Sequence, residues 1–320
     1  MTSNFRLHAA LSVILFCVAL PVVQAEEPPG KLKVFVLAGQ SNMQGHGLIP
    51  ADEKRNGGKG SLEFLARHPK TARQLSHTRD KQGQWLVRDD VWIWYLDRAG
   101  WLTAGYGAQK DRIGPEFQFG HVMGSHYREP VLLIKLAWGG KSIAQDFRSP
   151  SAGGETGEYY KRILRHTRAV LANLKQYFPG YDGRGYELLG IGWHQGWNDR
   201  VNQAYNDAYE QNLSCLIRDL RTGLGVSRLP FVIAETGMSG YSEKHPRALS
   251  LMRHQAAVAQ RAEFKGNVAF VGTKGFFRPK EESPSGQAYH WNTNAETYFL
   301  IGDAMARAMI DLLEQQAGSR

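Results

Sequence analysis

The chain has 320 residues, 42% of them hydrophobic, and its 39 Lys plus Arg against 30 Asp plus Glu give a formal net charge of +9. That apolar content suffices for a sizeable core and excludes a disordered or fibrous chain. The basic residues are scattered, with no run of the kind that marks a nucleic-acid tail, so the charge slightly favours an acidic glycan surface and argues against nucleic acid as a partner.

Residues 1–25 read as a signal peptide. Arg6 and His8 precede an apolar run over residues 9–20, and Val23-Gln24-Ala25 offers a small-residue cleavage site. That run is about 12 residues long where a helical span needs about 20, so stable membrane insertion is not expected. A lipid anchor at Cys17 is disfavoured by the bulky Phe16 before it. The expected product is a secreted or periplasmic chain starting near Glu26, with Cys215 as its one cysteine and no internal disulfide.

In chain order, residues 33–37 form the first apolar, β-branched run. A segment over residues 45–114 follows, too long for an ordinary connection. It carries Trp85, Trp92, Trp94 and Trp101, with residues 91–95 alternating like a strand. The expected role of these aromatics is to pack a small subsidiary hairpin; the competing one is a wall for a sugar ring. Then come a helical pattern at 116–127, a strand at 131–137, a helix at 159–177 with Ile163, Val170, Leu171 and Leu174 on one face, and a strand at 188–193. A helix at 205–220, a strand at 231–234, a helix at 249–261, a strand at 268–271 and a helix at 296–314 complete the order. Alternating strands and helices imply right-handed crossovers and a parallel sheet covered on both sides. The expectation is an α/β fold, a three-layer α/β/α sandwich of about five parallel strands, with residues 26–320 as one domain and 45–114 inserted in it.

Four motifs fall just after strands or just before the last helix: Gly39-Gln40-Ser41-Asn42-Met43, Gly139-Gly140-Lys141-Ser142, Gly196-Trp197-Asn198-Asp199 and Tyr289-His290-Trp291-Asn292. In an open α/β sheet such ends converge on one crevice. Ser41 alone would be read as a helix cap. Gly-x-Ser-x-Gly is absent, because Met43 occupies the last glycine position, which disfavours the α/β-hydrolase fold. Gly140-Lys141-Ser142 mimics the end of a phosphate loop, but Lys135 stands where its first glycine belongs.

The order Ser41, Gly140, Asn198, His290 resembles the SGNH hydrolase superfamily, a flavodoxin-like fold. With Ile113-Gly114-Pro115-Glu116-Phe117, the run from Lys135 to Ser142 and Trp193-His194-Gln195-Gly196, it is similar to the sialate O-acetylesterase and family-six carbohydrate esterase branch, from Lys31 to about Met309. The resemblance implies that Ser41 attacks an acetyl carbonyl. The Ser41 and Gly140 backbone N–H groups and the Asn198 side-chain amide would hold the oxyanion, and His290 would move the proton. A side chain at Gly140 is expected to obstruct close approach. Gln40, Gln195 and His194 are expected to contact substrate. No metal and no cofactor is implied, and no metal-ligand spacing is present.

One position departs from the superfamily pattern. Gln287 stands three residues before His290, where Asp is usual. Glu116, Glu281, Glu282 and Glu296 stay open as orienting carboxylates, as does a backbone carbonyl. The function implied is a carbohydrate O-acetylesterase working through an acetyl-serine on xylan, sialic acid or a related polysaccharide. The rivals are a glycan-binding protein on an impaired esterase scaffold and a short-chain or lipase-like esterase of other substrates.

Overall fold

The computed structural model describes Met1 and residues 30–318; the signal peptide and its cleavage site at Ala25 lie outside the described residues. Its strands are β1 (Leu32–Gly39), β2 (Gly47–Leu48), β3 (Val91–Tyr95), β4 (Arg98–Trp101), β5 (Arg112–Ile113), β6 (Val131–Ala137), β7 (Tyr186–His194), β8 (Phe231–Ala234) and β9 (Val268–Val271). Seven of them make one sheet in the order β4-β3-β6-β1-β7-β8-β9, parallel except for β4, while β2 and β5 pair separately. All five strands expected from the sequence are present.

The longer helices, with two short ones used below, are α1 (Ser41–Gln44), α2 (Pro115–His126), α3 (Glu158–Ala172), α4 (Trp197–Arg200), α5 (Tyr209–Leu224), α6 (Pro246–Gln260) and α7 (Ala295–Gly318). Strand side chains alternate between two apolar layers, as a pleat requires. Val34, Val36, Leu132 and Ile134 pack with Ile163 and Val170 of α3, Leu213 and Ile217 of α5 and Leu251 of α6. Phe35, Leu37 and Leu133 pack on the opposite face with Phe119 and Met123 of α2 and Ile301, Met305 and Met309 of α7.

The sheet is wider than the sequence suggested, because residues 91–95 join it instead of standing apart as a hairpin. Their alternation reads as a strand, and all five residues are buried: Val91 and Ile93 face the α2 layer, and Trp92 and Trp94 face the α3 layer. Trp92 meets Trp101 edge-on at 4.9 Å and Phe178 at 5.7 Å, so these aromatics pack the core. The helix expected at 159–177 breaks at Asn173 (φ −127°, ψ 38°), whose side-chain amide donates to the Ala169 carbonyl and so competes with the helical ladder. The one expected at 205–220 starts as a short helix, Gln203–Asp207, before α5 runs on to Leu224 and a left-handed Gly225.

The rest of the inserted segment has a small core of its own. Ile49, Leu62, Leu65, Leu75 and Ile113 pack on Phe117 of α2 and on Ala295 and Phe299 in the first turns of α7. No helix among the described residues is long and apolar enough to cross a membrane.

Candidate active site

The three central strands deliver three of the four motifs side by side. Gly39 at the end of β1 pairs with Ala137 of β6 and with His194 of β7, so the chain leaves all three strands at one level. Gly39 sits at φ +152°, and a Cβ there would run into the His194 carbonyl; only glycine lets β1 and β7 approach this closely.

Ser41 is the first residue of α1, and Gln40 takes the N-cap position with extended backbone. The Ser41 hydroxyl therefore does not cap the helix. Gln40 in turn is committed to holding the neighbouring loop: its side-chain oxygen accepts from the Gly196 N–H at 3.0 Å and the Asn198 N–H at 3.4 Å, and its own N–H donates to the His194 carbonyl. As the first residue of a helix, Ser41 keeps a backbone N–H with no helical acceptor.

Gly140 adopts a left-handed φ of +69°, and a Cβ built on it meets no protein atom within 4 Å. Backbone conformation, and not crowding by the protein, is what calls for glycine here. The Asn198 side-chain amide donates to the Gly140 carbonyl at 2.5 Å, leaving its second N–H free, and Gly139 lies with its ideal Cβ 4.0 Å from that of Ser41. The turn is pinned from below by Asp199, a residue whose role the sequence left unread. Its carboxylate accepts from Ile143 N–H, Ala144 N–H and the Gln195 amide at 2.8, 2.9 and 2.6 Å. Burial pushes Asp199 up to about 6 despite those three donors.

The far end of α1 is fixed by a buried cation. Lys135 of β6 donates to the Gln44 carbonyl, the Tyr106 carbonyl and Glu116, each at 2.7 Å, and burial lowers it to about 8 against the pull of Glu116. Glu116 also accepts the Gly114 N–H, which fastens the returning end of the insertion to the same point.

His290 arrives differently, in the turn before α7. Asn42, next to Ser41, donates to the Tyr289 carbonyl at 3.1 Å; Tyr298 of α7 donates its hydroxyl toward Asn42 Oδ1 at 2.8 Å and the His290 carbonyl at 3.3 Å. These bonds bring the segments holding Ser41 and His290 together. Trp291, Asn292 and Thr293 then follow with φ of +51°, +54° and +56°, three consecutive non-glycine residues in the left-handed region. Such a run costs roughly 1–2 kcal/mol per residue and persists only where other contacts impose it. Here Asn292 donates to the Arg278 carbonyl, Asn294 to the Glu282 carbonyl and Ser283, and Ala295 N–H to the Gly60 carbonyl of the insertion.

None of the four glutamates left open reaches the His290 ring. Glu116 is paired with Lys135, Glu296 is held by Arg278 at 2.8 and 3.1 Å, and Glu281 and Glu282 lie exposed. Burial alone holds His290 down at about 4, below the ordinary histidine value of 6.5. What does meet the ring is His46, stacked on it with centroids 3.8 Å apart and planes 7° from parallel. His46 also was unread in the sequence, although it directly follows the Ser41 loop.

Of the residues expected to contact substrate, Gln40, Gln195 and His194 are 2%, 1% and 0% exposed. Gln195 donates to the Lys141 carbonyl and Asp199, and accepts from Tyr209. His194 closes β7 inside the protein, and burial lowers it to about 4. In this structure all three are interior side chains, because the strand ends that carry them are covered by the loops they support. Trp193 and Trp291 are core, whereas Trp197 is half-buried beside Asn198, with its ring 5.6 Å from the exposed Tyr289.

Similarity to known proteins covers most of the chain. No curated protein matches it in sequence. Among solved structures, a protein of Arabidopsis thaliana superposes with a TM-score of 0.59 at 17% identity, over 89% of this chain and all of the other. NanS gives 0.53 at 17%, over 91% and 99%. A carbohydrate acetylesterase of Xanthomonas citri gives 0.55 at 13%, over 88% of this chain and 56% of that one. These likenesses show the fold, a mostly parallel α/β sheet covered by helices on both sides. The model of one family, described as carbohydrate esterase, sialic acid-specific acetylesterase, matches residues 31–311, and the chain belongs to that family.

Proposed function

We propose that this enzyme removes acetyl groups from O-acetylated sugars through an acetyl-serine intermediate. The observation that supports the reading is the Asn42 bridge, which joins the segment after β1, carrying Ser41, to the segment before α7, carrying His290, while Asn198 bonds to Gly140. Neutral at ordinary pH, His290 takes the Ser41 proton as Oγ bonds to the acetyl carbon. The carbonyl oxygen becomes negative facing the Ser41 N–H, the Gly140 N–H and the free N–H of Asn198. The tetrahedral intermediate collapses, the C–O bond to the sugar breaks, and the proton on His290 passes to the departing hydroxyl. Water then repeats the sequence on the acetyl-serine, releasing acetate.

Trp197, beside Asn198, and Tyr289, beside His290, have rings 5.6 Å apart, with the Arg200 guanidinium 4.3 Å over the Trp197 ring. Their flat faces suit the C–H faces of a sugar ring, and with the polar donors they favour a short acyl group on a carbohydrate over a long-chain ester. Secretion after cleavage near Ala25, residues 26–320 as a single domain, and an acetylated sialic acid or xylan as substrate belong to the same proposal.

The test is acetate release from p-nitrophenyl acetate and from O-acetylated sialic acid and xylan, by the wild type and Ser41→Ala. Ser41→Ala is expected to lose about 10⁴-fold or more in turnover. Sugar binding with no turnover that depends on Ser41 would instead establish the rival reading of a binding protein.

A further inference from the structure

We infer that His46 is the positioning residue for His290, doing through a stacked ring what a carboxylate does through a hydrogen bond in other serine hydrolases. The inference rests on the esterase reading above.

A base that shuttles a proton needs two things from its partner: a fixed ring orientation and stabilisation of the imidazolium that forms. Among the described residues neither ring nitrogen of His290 has a hydrogen-bond partner, so its edge is not what is held. Its face is held. With centroids 3.8 Å apart and planes within 7°, the two imidazoles allow little rotation of His290 about its last side-chain bond. Both ring nitrogens are left free at the edge, one for Ser41 and one for water or substrate.

His46 is placed to do this without carrying charge. It sits between Gly45 and β2, half-buried, with Nε2 buried and without a partner. His290, Arg112 and Lys135 are the charged or titratable groups that act on it, and Tyr298 lies against its backbone; His290 itself faces His46 and the Tyr289 ring at 4.5 Å. Burial first, then His290 when it is protonated, Arg112 and Lys135, lower His46 to about 3, so it stays neutral while His290 gains and loses its proton. A neutral aromatic face attracts an imidazolium; a second imidazolium would repel it.

The experiment compares His46→Ala, His46→Phe and His46→Gln in the mature chain, each checked for a cooperative melt, by kcat, KM and the pH dependence of kcat/KM on p-nitrophenyl acetate. His46→Ala is expected to lower kcat about 10-fold to 100-fold with KM nearly unchanged, because a misplaced base costs about that much. It should also raise the acid limb of kcat/KM, as water reaches His290. His46→Phe keeps a flat neutral face and is expected to recover kcat to within about threefold, while His46→Gln, which is polar but offers no ring, should not. Should His46→Ala fail to fold, the Phe and Gln pair carries the same comparison. Wild-type kcat and acid limb in the ring-less variants would overturn the inference, as would equal loss in all variants with the acid limb unmoved. Turnover that survives Ser41→Ala would instead take down the esterase reading; Ser41-dependent turnover indifferent to position 46 overturns this inference alone.

Discussion

The two sides of the site are built by different means. The side holding Ser41, Gly140 and Asn198 inherits its geometry from strand register: Gly39 lies opposite Ala137 and His194, and short loops carry that alignment outward. The side holding His290 has no strand beneath it. Its position comes from a left-handed run of three residues, two asparagine side chains that grip carbonyls, and a bridge from Asn42. A sheet places residues cheaply because its hydrogen bonds are made in any case, whereas an irregular segment must recover backbone strain through specific side-chain bonds. Perturbing the buried framework beneath the first side should therefore disturb folding and chemistry together, whereas trimming its partly exposed loop side chains, or perturbing the second side, should disturb chemistry with little loss of stability.

Glu116→Gln is the harshest way to probe that contrast. It leaves the Lys135 ammonium buried without its counter-charge, at a cost of about 3–5 kcal/mol, and loosens the end of α1 as well. Chemical denaturation should show a large fall in midpoint, and an unchanged midpoint would refute the role given to the pair. Asn198→Ala removes one of the proposed oxyanion donors and should cut kcat about 100-fold to 1000-fold, roughly 3 to 4 kcal/mol, with a normal melt. Asn42→Ala severs the bridge between the two sides. About a tenfold loss in kcat is expected, with stability within about 1–2 kcal/mol of wild type, as for a few hydrogen bonds. A Tm that collapses with Asn42→Ala would show the histidine side to be as structural as the other.

The mildest probe is pH. His46 and His121 are lowered to about 3, and His194 and His290 to about 4, in each case chiefly by burial, whereas the unfolded chain titrates its histidines near 6.5. Below 6.5 the unfolded state takes up protons that these four refuse, so stability present above that pH is lost as the pH falls toward 4. Asp199 works in the opposite sense: raised to about 6, it gives up stability as the pH climbs from 3.8 to 6. Four groups outweigh one, and thermal melts should show Tm falling from pH 6.5 to pH 4.5. Turnover should outlast this decline, since His290 stays neutral until about 4; an acid limb of kcat/KM near 6.5 would contradict the burial of its ring.

The same division explains what could be read from the residues. Val34, Leu132 and Ile191 announce parallel strands through composition, and Gly39, Gly140 and Gly196 mark where each gives way to a loop, so the sheet and the meeting of these motifs at its strand ends were legible. Val91–Tyr95 was read as a strand of a small subsidiary hairpin because it lies inside a long insertion, yet it joins the main sheet, with its tryptophans in one layer and its aliphatics in the other. Gln40, Gln195 and His194 were expected to contact substrate but face inward, since polar residues at a crowded strand end are needed to satisfy the backbone of neighbouring loops. His46, Asp199 and Tyr298 went unread because their partners lie 244, 56 and 256 residues away in pairings that no local pattern encodes.

The small core under the insertion ties Ile49, Leu62 and Leu75 to the opening turns of α7, only a few residues beyond His290. Those regions should open and close as one cooperative unit, below the free energy of global unfolding. Amide exchange near residues 60–75 and 288–296 would then proceed at a common rate, so that the lifetime of the catalytic arrangement is set by a hydrophobic cluster that touches none of the reacting atoms.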